Sequence, residues 1–284
     1  MSKRKTIVSL TSYPKRIATV APCVKSILEQ NTPADAVMLW LGEDEFLGKE
    51  KDLPDDLLAL REEGLEICWC EKTLFSHDKY FWVMQQYPEC NIVTTDDDLY
   101  YRPDFLEKLL EGHRRFPTCV IANRTHKPRA ENNELKPYAE WSLEQKDFIN
   151  TPTMGLLATG VGGILYPAKI FSESLFDSKR IRKYCPTTDD LWLYIHEILF
   201  DIPVVSTAEG FTHNYVPGTQ ESGLFNENLE SGGNDASFEI LFSLYPEAKK
   251  KLLHIIEGYS REPEPEIKES FFKKLSLRFG QKFS

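Results

Sequence analysis

Few folds tolerate three consecutive carboxylates at the end of a buried strand, and the stretch Asn91-Ile-Val-Thr-Thr-Asp-Asp-Asp-Leu-Tyr-Tyr101 asks for that arrangement. Ile92 and Val93 sit in a short β-branched run that reads as a buried strand. Pro103 is pre-set for a first helical turn, and Phe105, Leu106, Leu109 and Leu110 follow at helical spacing. Asp96, Asp97 and Asp98 thus stand at the carboxyl end of a strand, where open α/β sheets bind ligands. Adjacent carboxylates repel one another unless a positive charge or water lies among them. Hard cations such as Mg²⁺ or Mn²⁺ suit such a group, with substrate phosphates completing the shell. A solvated acidic turn before a helix, favoured by the helix dipole, accounts for the same residues.

The pattern upstream sets the fold class. Thr6 to Leu10, Val37 to Leu41 and Leu65 to Cys70 read as three further strands. Between them lie a helical stripe at Val20, Val24, Ile27 and Leu28, a short helix over Leu53 to Arg61, and a third helix over Asp78 to Tyr87. Such alternation predicts an α/β protein with a mostly parallel sheet flanked by helices. Downstream the pattern weakens. Thr118 to Ala122 predicts a strand and Asn123 to Asn150 mostly loop. Thr187 to Phe200 predicts a helix and Pro203 to Val205 one more strand, with short helices at Phe238 to Leu244 and Leu252 to Ile256. Residues 261 to 268, with Pro263 and Pro265 among glutamates, read as a linker.

A net charge of −10 argues against a nucleic-acid binder, whose footprint is basic. Six scattered cysteines without a Cys-x-x-Cys pair argue against a zinc or disulfide framework and fit a reducing compartment. The expectation is a protein on the cytosolic side. The last residues add one surface: Phe271, Phe272, Leu275, Phe279 and Phe283 fall on one helical arc, opposite Lys273, Lys274 and Arg278. In an acidic chain this basic amphipathic tail suits docking to an anionic membrane, or packing on the protein itself.

A second acidic cluster, Thr187-Thr-Asp-Asp-Leu-Trp192, opens the predicted helix. As structure it is a near capping box, with Thr187 as N-cap and Asp190 at the third helical position. As chemistry, one of Asp189 and Asp190 is a general base for an acceptor hydroxyl. Both readings stand on the residues alone.

Taken together, the chain resembles the GT-A-fold nucleotide-sugar glycosyltransferases, in particular the inverting family 2 and related bacterial surface-polysaccharide enzymes. The resemblance rests on Asp96-Asp-Asp98 after a strand, the glycine run Thr159 to Gly163, and Asp189-Asp190 at a helix start, 190 − 98 = 92 positions beyond Asp98. It covers roughly residues 5 to 215, with Val8 to Tyr13 as the first strand and base-binding loop. It implies a Rossmann-like GT-A catalytic domain over 1–216, divided into a nucleotide-binding half to about 101 and an acceptor half beyond. Helical elements over 217–260 and the linker and tail over 261–284 follow. It also implies site roles. Asp98 and Asp96 hold Mn²⁺ or Mg²⁺, with His213 as an additional ligand; Thr11, Tyr13, Arg16, Lys79, Asp96 and Asp97 contact the nucleotide. Asp190 or Asp189 is the base. Apart from the resemblance, Gly162 and Gly163 read as backbone approaching donor or acceptor sugar or as a simple turn, Trp141 and Trp192 as faces for a sugar or as core, and Arg124 and His126 as lining of the acceptor cleft. The third strand lacks an acidic end, and Asp-Asp stands where the family usually has Glu-Asp.

The implied reaction moves a sugar, with inversion, from a nucleotide donor such as a UDP-sugar to a glycan or glycolipid, at the inner face of the membrane. Two other readings compete. A sugar-nucleotide pyrophosphorylase would want a glycine-rich loop after the first strand, and Thr11 to Arg16 has no glycine. A non-catalytic nucleotide- or glycan-binding protein would not need both acidic clusters.

Overall fold

The structure, a computed structural model, describes residues 4–207, 211–219 and 233–259. Its first half is the expected alternation: β1 (Thr6–Thr11), α1 (Ala21–Leu28), β2 (Ala36–Gly42), α2 (Asp55–Ala59), β3 (Leu65–Cys70), α3 (Asp78–Gln86), β4 (Asn91–Thr94) and α4 (Phe105–Arg115). The predicted helix over Leu53 to Arg61 is reduced to the five residues of α2. Pro54 precedes it and a 3-10 turn closes it at Gly64, whose φ of +111° suits a residue without a Cβ.

The second half holds β5 (Val120–Ala122), β6 (Thr125–His126), a small hairpin of β7 (Ala130–Glu131) and β8 (Glu134–Leu135), β9 (Leu157–Ala158) and β10 (Ile164–Tyr166). Then come α5 (Ser178–Tyr184), α6 (Asp189–Leu199), β11 (Val204–Ser206), α7 (Gly233–Leu244) and α8 (Pro246–Tyr259). Neither β10 nor α5 was expected from the sequence, and α7 and α8 are longer than their apolar stripes suggested. The linker at 261 to 268 and the amphipathic tail lie outside the described residues.

Seven strands form one sheet in the order β11-β5-β10-β4-β1-β2-β3. All neighbours are parallel except β10, which runs antiparallel to both β4 and β5. The mostly parallel sheet covered on both faces is the architecture the alternation predicted. Alternate side chains divide between the two faces, as strand geometry requires. Val8, Leu10 and Val93 pack with Val24 and Ile27 of α1 and with Phe105, Leu106 and Leu109 of α4. Ile7, Met38 and Ile92 face Val83 of α3. Ile164 and Tyr166 lie under Trp192, Ile195 and the helices α7 and α8. Each fully buried Leu, Ile or Phe contributes about 1.5–3 kcal/mol by leaving water, so the strands that carry the acidic loops are anchored in the core. Among the described residues, no helix is long and apolar enough to cross a membrane.

Two features of this topology build the site. From β1 the chain moves outward to β2 and β3, then returns to β4 on the other side of β1, making a topological switch point at the carboxyl ends of β1 and β4. And because β10 is antiparallel, with Ile164 opposite Thr94, the glycine run just before it is delivered to the carboxyl end of β4.

Candidate active site

The loop after β1 and the carboxylates after β4 meet at the switch point. Arg16 brings Nη1 to 2.7 Å from Asp97 Oδ1 and 3.3 Å from Asp98 Oδ2. The Ser12 hydroxyl donates to the other Asp97 oxygen at 2.6 Å. Burial pushes the Asp97 carboxyl up, against the pull of Arg16 and Ser12. A buried carboxylate with both oxygens engaged by charged and hydroxyl donors is a structural anchor for its loop. Tyr13 is half-buried with its ring under the Arg16 guanidinium at 5.6 Å, and the Thr11 hydroxyl donates to the Trp40 carbonyl.

Lys79, from the first turn of α3, joins the two acidic clusters. Its Nζ lies 2.8 Å from Asp96 Oδ1 and 2.8 Å from Asp189 Oδ2, and the side chain is buried. Burial lowers its pKa, but Asp189, Asp96 and Asp190 outweigh that and hold it well above the usual lysine value. The separation of 92 residues along the chain thus closes to a single ammonium.

Gly160 completes the convergence. Its N–H donates to both oxygens of Asp190, at 3.0 and 3.1 Å. A Cβ at Gly160 would stand 2.9 Å from Lys79 Nζ, 3.0 Å from Asp96 Oδ1 and 3.2 Å from Asp190 Oδ1. Three charged groups therefore crowd onto the one residue that has no side chain to exclude them. Burial raises the Asp190 pKa to about 7; Asp189 and Asp96 add to the rise, while Lys79 and the Gly160 N–H oppose it. A carboxyl with a pKa near neutrality and partial exposure suits general-base chemistry.

Several sequence expectations need correction here. The helix cap is Thr188, not Thr187, and Thr188 makes no side-chain capping bond. Asp190 turns away from the helix end because the Gly160 N–H is its partner. Trp192 is wholly buried and bonds the Leu175 carbonyl, and Trp141 packs between Tyr138 and Phe238. Both rings are core, leaving no face for a sugar. A Cβ at Gly162 would meet Arg124 Cβ at 2.5 Å, and one at Gly163 would meet Phe105 Cε2 at 2.1 Å. These two glycines serve packing, and Gly163 a φ of +78° besides. His126 is buried, and its Nδ1 accepts the Glu144 N–H. His213 is exposed at the rim, its Nε2 2.8 Å from Glu144 Oε1, so it faces Glu144 in this arrangement and not Asp98.

Sequence reasoning singled out neither Ser12 nor Glu144, and it took Gly160 only as one member of the glycine run. Ser12 lies between two residues that were named, and Gly160 within a run that was named. Glu144 sits in a polar stretch with no distinguishing pattern.

The chemistry of the donor set bears on a metal ion. Five carboxylates (Asp96, Asp97, Asp98, Asp189 and Asp190) are paired with two cations, Arg16 and Lys79, an imbalance of −5 + 2 = −3 when all are ionised. Among the described residues, no three His, Cys, Asp or Glu side chains are grouped to hold a metal by themselves. Carboxylate oxygens in excess, without a complete cage, fit a hard cation that draws the rest of its shell from substrate phosphates.

No family model matches the sequence, and no curated protein matches it. Solved structures do resemble the fold. The mannosyltransferase PcManGT from Pyrobaculum calidifontis, in complex with GDP-Man and Mn²⁺, is 10% identical over 99% of this chain and 82% of its own, with a TM-score of 0.49. S. aureus TarS 1-349 in complex with UDP is 14% identical over 74% of this chain, with a TM-score of 0.42, and this chain spans 59% of it. A 4-diphosphocytidyl-2C-methyl-D-erythritol synthase is 12% identical over 78% of this chain and 96% of its own, with a TM-score of 0.45. Nucleotide-sugar glycosyltransferases and nucleotidyltransferases thus both stand among the similar folds. At these identities the likeness does not reach individual residues.

Proposed function

We propose that this protein transfers a sugar from a nucleoside-diphosphate donor to a hydroxyl of a glycan acceptor, with inversion and with Asp190 as the base. The observation that carries the reading is the meeting of the two acidic clusters on Lys79 and Gly160 at the carboxyl edge of the sheet. Such a site needs one carboxylate group to hold a charged donor and another, of different acidity, to take a proton. Asp190, with a pKa of about 7, is half protonated near neutrality and ready to accept the acceptor's proton just above it. The Gly160 N–H restrains the carboxylate as the proton arrives, and Lys79 holds Asp189 and Asp96 in register with it. Ser12 and Arg16 fix Asp97, and so the loop that carries Asp96 and Asp98.

Asp98 and Asp96 are the residues that would hold Mn²⁺ or Mg²⁺, with Asp96 also toward the ribose. When bound, the cation offsets the negative charge that builds on the departing diphosphate. The sequence resemblance adds finer proposals: a UDP-sugar donor, and an acceptor of the lipopolysaccharide or capsule class reached at the inner face of the membrane.

Calorimetric titration with UDP, with and without Mn²⁺, tests the reading. Metal-dependent binding that disappears in Asp98→Ala is expected. If no nucleotide binds in a metal-dependent way, Asp96 to Asp98 return to a structural turn and the proposal fails. Slow hydrolysis of a UDP-sugar in the absence of acceptor then separates an enzyme from a binding protein.

A further inference from the structure

Beside the site, Phe211, His213 and Tyr215 form a row of rings outside the proposed donor contacts, with Phe211 and Tyr215 packed against the edge of the core. They alternate along the chain, and successive rings touch: Phe211 and His213 are 4.7 Å apart between centroids, His213 and Tyr215 6.1 Å. Alternation of this kind puts every second side chain on one face of an extended segment. That segment lies antiparallel along the acidic loop, with the Tyr100 N–H on the Asn214 carbonyl and the Val216 N–H on the Asp98 carbonyl, each at 2.8 Å. Phe211 and Tyr215 are half-buried and the His213 side chain is 51% exposed, so the row is open at its rim.

Charged groups frame the rings. The Arg124 guanidinium lies over Phe211 at 5.6 Å, with Nε 3.1 Å from Glu144 Oε1. Glu144 in turn meets His213. On its other side Arg124 Nη1 donates to the Thr159 hydroxyl at 3.0 Å, one residue before the glycine whose N–H holds Asp190. The row is therefore connected to the base side of the site through Arg124, Thr159 and Gly160. Tyr215 also pairs antiparallel with Leu99, the residue after Asp98, which sets it beside the acidic loop.

We propose that this aromatic ledge, framed by Arg124 and Glu144, binds a pyranose ring of the acceptor; the assignment rests on the transferase reading above. A pyranose has a C–H face that packs on aromatic rings and an edge of hydroxyls that both donate and accept hydrogen bonds. Glu144 accepts from such hydroxyls and Arg124 donates to them. The ledge adjoins Asp98 through the Val216 N–H on the Asp98 carbonyl, and it reaches Asp190 through Arg124, Thr159 and Gly160. The ledge supplies the ring faces that Trp141 and Trp192, buried in the core, do not offer.

The test is saturation-transfer NMR on the full chain loaded with UDP and Mn²⁺. The probes are methyl β-glucopyranoside, methyl β-galactopyranoside and methyl N-acetyl-β-glucosaminide. At least one glycoside should receive saturation, strongest at the C–H protons of one ring face. His213→Ala, at an exposed position that the fold tolerates, should lower the signal about two- to tenfold, the weight of one aromatic contact. Tyr215→Ala should do the same and Tyr215→Phe should restore it. No signal from any glycoside on UDP-loaded protein overturns the proposal, as does a signal that survives His213→Ala and Tyr215→Ala undiminished. A signal on nucleotide-free protein that UDP displaces also overturns it, because the ledge would then stack the donor's base. Failure of UDP to bind at all is a separate result, and it strikes the transferase reading itself.

Discussion

Asp97 and Asp190 are the same residue type, both at the carboxyl edge of one sheet, the first buried and the second partly exposed, and their surroundings give them opposite duties. Asp97 has both oxygens claimed, by Arg16 and by the Ser12 hydroxyl. Asp190 has a backbone N–H on its two oxygens and other carboxylates for neighbours. The first is a fixed anion that ties the β1 loop to the β4 loop. The second is poised to change protonation near pH 7. Two acidic clusters of like composition thus become a holder and a base through their partners alone, which is how one site separates binding from proton transfer.

If that division is right, the largest effect belongs to Asp190→Asn. An amide there keeps the shape but cannot take a proton, and sugar transfer should fall by about 10²- to 10⁴-fold. Initial rates with a UDP-sugar and an active acceptor measure it. A loss under tenfold would move the base to Asp189. The wild-type pH profile carries the same information: only the ionised carboxylate acts, so the rate should fall about tenfold per unit as pH drops below about 7. A profile flat from pH 5 to 8 would contradict it.

Lys79→Met addresses the link between the clusters. It leaves Asp96 and Asp189 without their shared cation, and removing one partner of a buried pair costs about 3–5 kcal/mol. Urea unfolding should show a loss of that order. A double variant, Lys79→Met with Asp189→Asn, should recover part of it, because fewer buried charges then go unpaired.

A third carboxyl sharpens the contrast. Glu197, seven positions beyond Asp190 on the same face of α6, is buried, and its Oε2 has no hydrogen-bond partner among the described residues. Burial, with the Asp190 charge, raises its pKa from 4.5 to about 8. The folded state then binds a proton that the unfolded state releases, so stability present below about pH 4.5 is lost as pH rises toward about 8. The slope from such a group is at most about 1.4 kcal/mol per pH unit. Glu197→Gln should flatten that slope between pH 5 and 8, measured by urea midpoints at each pH. An unchanged slope would mean Glu197 is ionised in the folded protein.

How far the sequence disclosed this arrangement depends on the length of each signal. β1 to β4 were readable because each is an apolar run bounded by turn residues and separated by a helical stripe. β10 was not. Ile164 to Tyr166 is three residues long, and its central place between β4 and β5 comes from pairing that no local pattern encodes. The same holds within the site. Asp96 to Asp98, Asp189 and Asp190 stand out as clusters, whereas Gly160 differs from Gly162 and Gly163 only in what the fold brings against it. Trp192 sits amid apolar neighbours at helical spacing, and of the two readings that context allowed, sugar contact and core, the structure takes the core. Ser12 carried no signal, since its role depends on a residue 85 positions away.

The smallest effect tests the point at which a local rule and a tertiary contact compete. The capping-box reading gives Thr187 a bond to the α6 backbone, and replacing a capping threonine by alanine typically costs about 1 kcal/mol. In the structure Thr187 is exposed and outside the helix, Thr188 occupies the cap without a side-chain bond, and Asp190 is drawn to Gly160. Thr187→Ala should therefore shift stability by less than about 0.5 kcal/mol, the range of a surface substitution. A full capping loss in urea unfolding would mean that Asp190 spends its time on the helix end. A carboxylate engaged there is not held by Gly160 for proton transfer, so the contrast between Asp97 and Asp190 would collapse with it.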